Sequence, residues 1–443
     1  MPQNLAHGSI FKNIAIFSLP YLLAYFLQTL YGLADLFIIG QFESAEAITA
    51  VAVGSQVMHF LTVIIVGFAM GTTVLIGRAF GAKNFLSISR IAGNSILLLG
   101  TASILLTASL LFFCSPIVSL LKTPPEAIDN TTRYLRICFA GIPGIIAYNF
   151  MAAIFRGMGE SKRPMYFIAF ACLLNIALDY IFIGGFHWSA AGAAAATILA
   201  QTASFLMALK SVRKSVGFSL SLKDFRPHKT ILRGICSVGF PIAIQDGFIQ
   251  VSFLFITMIA NSRGMEIAAA VGIVEKIISF LFLVPSAMLS TISAIASQSF
   301  GAKDFQRAQK TLWTGMGITA SVAFIFAIAF QFISENAVAL FTEDPAIVRF
   351  GTEYLRMYVF DCIFASVHFC FSGYFCARGL SIISFVHNAF SIALVRIPGT
   401  ALAAKYFPDT LLPMGMAAPA GSLFSVIFCF AVFKIYKRKL DGG

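Results

Sequence analysis

Charged residues are scarce in this 443-residue sequence: Asp and Glu number 19, Lys and Arg 31, and the charged share is 11%, where an ordinary soluble domain carries about a quarter. A water-facing surface cannot be built from so little charge. Patterns that carry catalysis are missing as well. The six histidines (His7, His59, His187, His228, His368, His387) are scattered, and no HxxxH, HExxH or P-loop pattern occurs, so the chain does not read as an enzyme and holds no ATPase of its own. No catalytic residue is nominated, and no cofactor. The eight cysteines (Cys114, Cys138, Cys172, Cys236, Cys362, Cys370, Cys376, Cys429) form no CxxC pair and no cluster with histidine, which leaves them as small buried hydrophobes. The N-terminal region has one basic residue, Lys12, and no small-residue cleavage site after its first apolar run, so it does not read as a cleaved signal peptide.

Apolar residues are what the sequence has instead. They make up 58% of it, phenylalanine alone contributing 47, and the mean hydropathy is +0.87. Twelve apolar runs, bounded by charged or Gly/Pro-containing breaks, fall near 14–38, 48–74, 92–114, 132–155, 165–185, 190–209, 234–260, 268–296, 312–333, 354–376, 383–404 and 413–435. Each is long enough to cross a hydrocarbon core of roughly 30 Å. The breaks alternate between a basic-rich and a basic-poor set. The rich set holds Lys12; Arg78, Lys83 and Arg90; Arg156, Lys162 and Arg163; a run from Lys210 to Arg233; Lys303, Arg307 and Lys310; Arg378; and Lys434, Lys437, Arg438 and Lys439. By the positive-inside rule this predicts a multi-pass protein of the cytoplasmic (inner) membrane with both termini cytoplasmic. The net charge of +12 then reads as a topology signal and a contact surface for anionic membrane lipid, and a nucleic-acid partner drops away.

The chain repeats itself. Phe80-Gly81-Ala82-Lys83-Asn84 recurs as Phe300-Gly301-Ala302-Lys303-Asp304, and Tyr134-Leu135-Arg136 as Tyr354-Leu355-Arg356, both 220 residues on. Pro20 pairs with Pro241, Val53-Gly54 with Val271-Gly272, Pro124 with Pro345 and Arg156-Gly157 with Arg378-Gly379, at offsets of 218 to 222. Six collinear matches spread over the chain mark a duplication. The expected fold is an all-α membrane protein of twelve transmembrane helices in two six-helix lobes, 1–209 and 234–443, joined by a cytoplasmic linker, 210–233. Six spans per copy make the repeats parallel, related by a pseudo-two-fold axis along the membrane normal. Two like lobes facing a cleft suit alternating access better than a fixed pore.

Polar residues inside the spans are the functional candidates, because an acidic group at a helix centre costs about 2.5–3.5 kcal/mol on insertion scales. Asp35, near the outer end of span 1, reads equally as a carboxylate snorkelling to the interface and as a functional group. In span 5, Asn175 and Asp179 are four residues apart on one helical face, and Thr197 in the next span can add a hydroxyl. Two carboxylates with amide and hydroxyl oxygens suit a small hard cation, or the pair can share one proton. A helix-packing hydrogen bond is the alternative for Asn175 and Asp179.

Several stretches taken together resemble the multidrug and toxic compound extrusion (MATE) family over nearly the whole chain: Pro20 through Asp35 to Ile39-Gly40, Gly71 to Asn84 with Arg78-Ala79-Phe80-Gly81-Ala82, Phe155-Arg156-Gly157-Met158-Gly159, and Asn175-Ile176-Ala177-Leu178-Asp179. The resemblance implies a secondary antiporter that exports varied amphipathic, often cationic compounds against inward Na⁺ or H⁺. It also implies a first-lobe coupling site at Asp35, Asn175, Asp179 and Thr197, which would be the Na⁺ ligands if Na⁺ is the ion.

The second lobe lacks that oxygen cluster: Asp35 maps near Ile256 and Asn175 to Arg396. No second-lobe ion site is expected. Its polar residues are Asp246 and Gln250, Glu275 and Lys276, Asp361 and Arg396. Asp361–Arg396 reads as a compensating pair, while Lys276 is predicted to pair across helices with Asp246 or Asp361. Lys276 and Arg396 are read as structural locks or as residues that tune substrate entry. Tyr31, Tyr148, Phe150, Met151, Phe253, Met258, Phe280, Phe282 and Met288 are candidates to line the cleft, with Gln56 and His59 as polar additions. Pro20 and Pro241, at matching places in spans 1 and 7, are gating candidates through helix bending or static kinks. A monomer is expected. The rival reading is a lipid-linked precursor flippase on a related two-lobe scaffold, which would need basic residues such as Lys276 and Arg396 against phosphate.

Overall fold

The structure, a computed structural model, describes residues 4–215 and 221–441, with side chains described for all of these except 213–215 and 436–441. Part of the predicted linker, residues 216–220, therefore lies outside the described residues, as do the side chains of Arg213, Lys214, Lys437, Arg438 and Lys439 of the basic-rich set.

The described chain is helical, with no strand. Span 1 is Ile10–Phe42, span 2 Ala45–Gly81, span 3 Phe85–Phe112, span 6 Ser189–Ser215, span 7 Lys229–Asn261, span 9 Phe305–Ala339 and span 12 Leu412–Asp441. The other five spans are interrupted. Span 4 comprises Ile128–Ala140 and Ile142–Gly157, span 8 Met265–Leu281 and Leu283–Gly301, and span 10 Pro345–Tyr358 and Asp361–Ala377. Span 5 runs Lys162–Asp179 and then takes a π-helical turn, Tyr180–Gly185; span 11 runs Ser381–Ser391, a π-helical turn Ile392–Arg396, and Ile397–Tyr406. By length and composition eleven helices can cross a membrane, or 12 when the two halves of span 4 are counted together. All twelve predicted spans are thus present.

The break in span 4 bends the chain by 46°. Pro143 follows it at the start of the second half, where the missing N–H cannot continue the ladder of the first half. The breaks in spans 4 and 10 and the π turns in spans 5 and 11 fall in matching spans, whereas the break in span 8 has no counterpart in the continuous span 2.

Two compact units divide the chain: Met1–His7, Ala15–Ala243 and Ser297–Asp304 form the first, and Gly8–Ile14, Ile244–Ala296 and Phe305–Gly443 the second. The core of the first includes Ile38, Ile39, Val51, Tyr134, Leu135, Phe139 and Phe155; that of the second includes Ile256, Val271, Val274, Tyr354, Leu355, Tyr358 and Met414. The recurrent Tyr-Leu-Arg tripeptide accordingly puts its Tyr and Leu into the centre of each core.

The recurrent Phe-Gly-Ala-Lys segments end spans 2 and 8 with one geometry. Lys83 and Lys303 take φ of 57° and 60°, and the next amide bonds back across the turn, Asn84 to the Ala79 carbonyl and Asp304 to the Ser299 carbonyl, each at 2.9 Å. Within the first unit these two helix ends cross with backbones in contact. A Cβ on Gly81 would lie 2.0 Å from the Gln298 carbonyl oxygen, and one on Gly301 would lie 2.0 Å from that of Arg78. The motif needs glycine for this reciprocal approach.

One repeat pairing shifts. The left-handed glycine that closes span 4 is Gly159 (φ 80°), and its counterpart after span 10 is Gly379 (φ 74°). Gly379 therefore corresponds to Gly159 rather than to Gly157, because both supply the same turn.

All eight cysteines are free, seven of them buried and Cys236 half-buried.

Candidate functional site

Spans 1, 5 and 6 of the first unit bring the four nominated side chains together. Asp35 on span 1 is 2% exposed, Asn175 on span 5 is 2% and Asp179 is 0%, so Asp35 does not snorkel to an interface. Thr197 on span 6, half-buried, donates its hydroxyl to Asp35 Oδ2 at 3.4 Å and accepts from Asn175 Nδ2 at 3.5 Å. Asn175 and Asp179 also bear on the Asp35 carboxyl, as the four-residue spacing on one face of span 5 requires.

What the site lacks is donors. Asp35 Oδ1, Asn175 Oδ1 and both carboxyl oxygens of Asp179 are buried without a hydrogen-bond partner. Uncompensated carboxyl oxygens in a low-dielectric interior are costly, and two carboxyl groups facing one another need a positive charge or a shared proton between them. The donor set is all oxygen and mixes charged with neutral groups, which fits a small hard cation. Among the described residues no cluster of three or more His, Cys, Asp or Glu side chains could hold a metal ion. Span 5 turns π-helical at Tyr180, directly after Asp179, the kind of irregularity that often accompanies functional positions.

Two neighbours extend the cluster by one helical turn. Tyr31, four residues before Asp35, reaches Gln201, four residues after Thr197. Gln201 is buried at 9% exposure, with its Oε1 unpartnered. The sequence reading missed Gln201, although its four-residue spacing from Thr197 repeats the Asn175–Asp179 signal.

The remaining nominees scatter. Tyr148 is 1% exposed and donates its hydroxyl to the Pro164 carbonyl at 3.3 Å, so it is a packing residue of the first core rather than an open wall. Phe150, Met151 and Met288 are buried too. Gln56 and His59 are exposed on span 2. Pro20 is buried within span 1, and its neighbour Tyr21 accepts a hydrogen bond from Arg156 of span 4. Pro241 sits half-buried within span 7.

In the second unit, Arg396 Nη2 pairs with Asp361 Oδ2 at 3.1 Å and also donates to the Tyr358 hydroxyl. Glu275, half-buried, accepts from the Thr257 hydroxyl at 3.4 Å. Asp246 is half-buried beside Gln245 and Cys376. The predicted pairing of Lys276 with Asp246 or Asp361 is not found. Lys276 is exposed, and its electrostatic neighbour is Glu275 next to it in sequence. With 3.6 residues per turn, adjacent side chains diverge by about 100°, so a helix that turns Glu275 towards Thr257 turns Lys276 away.

The profile of the MatE family matches residues 20–181 and again 241–402, two copies displaced by 221 residues at both ends. The chain belongs to the MatE family. MatE relatives include a probable multidrug resistance protein of Bacillus subtilis, YpnP, 29% identical over 439 residues that cover 98% of this chain and 97% of that one. The multidrug export protein MepA of Staphylococcus saprophyticus is 26% identical over 84% of this chain and 82% of its own. Among solved structures, a MATE protein in complex with MaL6 superposes with a TM-score of 0.93 at 21% identity, covering 99% of both chains. A MOP-superfamily transporter from Pyrococcus furiosus gives 0.90 at 21% identity, covering 99% of this chain and 97% of that one. The MatE fold thus extends over the whole chain, and its members are membrane transporters.

Proposed function

We propose that this MatE protein is a secondary antiporter that exports small amphipathic, often cationic organic compounds in exchange for Na⁺ or H⁺ by alternating access. It would act as a single chain in the cytoplasmic membrane with both termini inside. The observation that carries the reading is the buried pair Asp35 and Asp179 with four oxygens of the cluster unpartnered. Such a site is stable only when a cation or proton enters it, and an entering ion changes the balance between conformations in proportion to its preference for one of them. Asp35 and Asp179 supply charge, Asn175 and Thr197 neutral oxygens. Pro20 and Pro241 are the points where spans 1 and 7 can bend without breaking an existing hydrogen bond. Export of drug-like compounds is supported by the names of the relatives in Bacillus and Staphylococcus. A flippase for lipid-linked precursors is less well supported, because Arg396 is already neutralised by Asp361 and leaves Lys276 as the one exposed base of the two.

The test is efflux of a fluorescent organic cation from vesicles reconstituted with the purified protein, with Na⁺ and proton gradients imposed separately. Export under one gradient, lost in Asp35→Asn, is the expected outcome. No export under either gradient overturns the antiporter reading.

A further inference from the structure

In the first unit, two carboxylates, Asp35 and Asp179, share a buried site with Asn175 and a threonine, and no basic side chain is present. In the second unit, two carboxylates, Glu275 and Asp361, lie around Arg396 with another threonine, Thr257. The carboxylates come from different spans, 1 and 5 in the first unit and 8 and 10 in the second, and the place the two arrangements share is that of one residue on spans 5 and 11. The family match carries span 5 onto span 11, where Asn175 falls at Val395 or Arg396 by the offsets of 220 and 221 that the two copies show, and both spans contain a π turn, which in span 5 begins five residues after Asn175. Arg396 is the last residue of its turn.

We propose that the Arg396 guanidinium is a tethered cation: it fills in the second lobe the role that an exchangeable cation fills in the first, so that the protein carries a single coupling-ion site. The inference rests on the first-lobe reading above. The Asp35–Asp179 cluster requires a positive charge and draws it from solution, whereas buried Asp361 is given one by its own chain. The placement of Arg396 is that of a fixed ion rather than a substrate contact. It is 8% exposed, held by Asp361 and the Tyr358 hydroxyl, and covered by the Phe253 ring with its guanidinium carbon 5.4 Å from the centroid. Span 12 packs against the base of the side chain: a Cβ added to Gly421 would lie 3.5 Å from the Arg396 Cβ. A guanidinium is planar, always charged and weakly hydrated, properties that let it stay in such a site through a whole transport cycle while a solvated ion would exchange. Glu275 also lies within the field of Arg396 but keeps Lys276 beside it, so removing the arginine would leave Asp361, 0% exposed, as an uncompensated buried carboxylate like those of the first unit.

The experiment measures equilibrium binding of radiolabelled Na⁺ and, in parallel, proton uptake on acidification, using the full-length protein in detergent or nanodiscs. At an ion concentration just sufficient to load wild type with about one equivalent of one of these ions, Asp35→Asn, its affinity lowered roughly tenfold to a hundredfold, is expected to bind a small fraction of that. In the Asp35→Asn background, Arg396→Gln is expected to restore about one equivalent, whereas Arg396→Lys, which keeps the charge, restores none. The reciprocal change, Asn175→Arg in the otherwise wild-type chain, installs the tethered charge in the first lobe and is expected to abolish ion binding there. A folded Asp35→Asn/Arg396→Gln protein with no regained ion, or a folded Asn175→Arg protein that binds the ion as wild type does, overturns the proposal. If Arg396→Gln does not fold, the reciprocal variant decides alone; if neither folds, a residual equivalent in Asp35→Asn that disappears in Asp35→Asn/Asp361→Asn overturns it, and no residual equivalent supports it. If Asp35→Asn instead binds the ion fully and Asp361→Asn does not change it, the first-lobe reading fails, which is a distinct result.

Discussion

The Thr197 hydroxyl stands between Asn175 and Asp35, accepting from the amide of one at 3.5 Å and donating to the carboxylate of the other at 3.4 Å. A neutral side chain on span 6 therefore ties the charged residue of span 1 to the polar face of span 5, and every oxygen not used in that tie is turned inward without a donor. The mutational consequences differ by residue.

Loss of a charged ligand should outweigh loss of the tie. A hydrogen bond or ligand bond to a charged group is worth about 1.5–3 kcal/mol and a neutral one about 0.5–1.5. Asp35→Asn and Asp179→Asn are expected to reduce ion affinity by roughly tenfold to a hundredfold, Thr197→Ala by about threefold to tenfold, and Thr197→Ser by less. Ion titrations of reconstituted transport give the order directly. An alanine at 197 that costs more than an asparagine at 35 would contradict the assigned roles.

Binding to the folded state also raises stability by mass action. If Na⁺ is the coupling ion, saturating it to about a hundred times its dissociation constant adds roughly 2.7 kcal/mol, read as an upward shift in thermal unfolding with Na⁺ and none with K⁺. At the same Na⁺ concentration the stabilisation should fall to about 0.4–1.4 kcal/mol in Asp179→Asn. Equal shifts with the two salts would remove Na⁺ as the ion bound at this cluster.

Gly81 offers a contrast with Gly100. A methyl group at 81 would stand 2.0 Å from a backbone oxygen, while one at 100 meets nothing within 4 Å. Gly81→Ala should destabilise by about 1–3 kcal/mol through overpacking, and Gly100→Ala should be neutral or stabilise by up to about 1 kcal/mol through helix propensity. Thermal unfolding of the two variants side by side is the check.

Asn94 fastens the connector between the lobes to span 3. Its amide donates to the carbonyls of Asp224 and Arg226, both at 3.2 Å, and its carbonyl accepts from the His228 amide at 2.7 Å. Asn94→Leu removes all three bonds while keeping a similar volume. Trypsin cleavage after Lys223 should then accelerate, by about tenfold for each 1.4 kcal/mol of local stability lost, with spans 3 and 7 otherwise intact. An unchanged cleavage rate would show that the Asp224–Ser221 capping box suffices to hold the segment.

The spans were legible because each apolar run reports its solvent directly, and the duplication because motifs that build turns and core contacts must recur when the fold does. Asn175 and Asp179 could be paired from sequence since four-residue spacing fixes a shared face. Properties that depend on helix rotation were not legible. Lys276, expected to pair across helices, is exposed, Tyr148, a candidate for the cleft, is buried with its hydroxyl on the Pro164 carbonyl, and Gln201 lies on the face that Thr197 already marks. The π turns at Tyr180 and Ile392 leave no local signature, because an extra residue in a turn changes hydrogen bonding without changing composition. Asn94 was invisible for another reason: its partners are main-chain groups more than a hundred residues away, and backbone amides look alike in any sequence.

The crossing of Gly81 and Gly301 has a mechanical side. Where most helix contacts are cushioned by side chains that can change rotamer, these two helix ends meet main chain to main chain, with nothing between them to deform. Such a contact is incompressible: within the first unit it fixes the spacing of the two helix ends, and any atom added to either glycine must be accommodated by moving main chain.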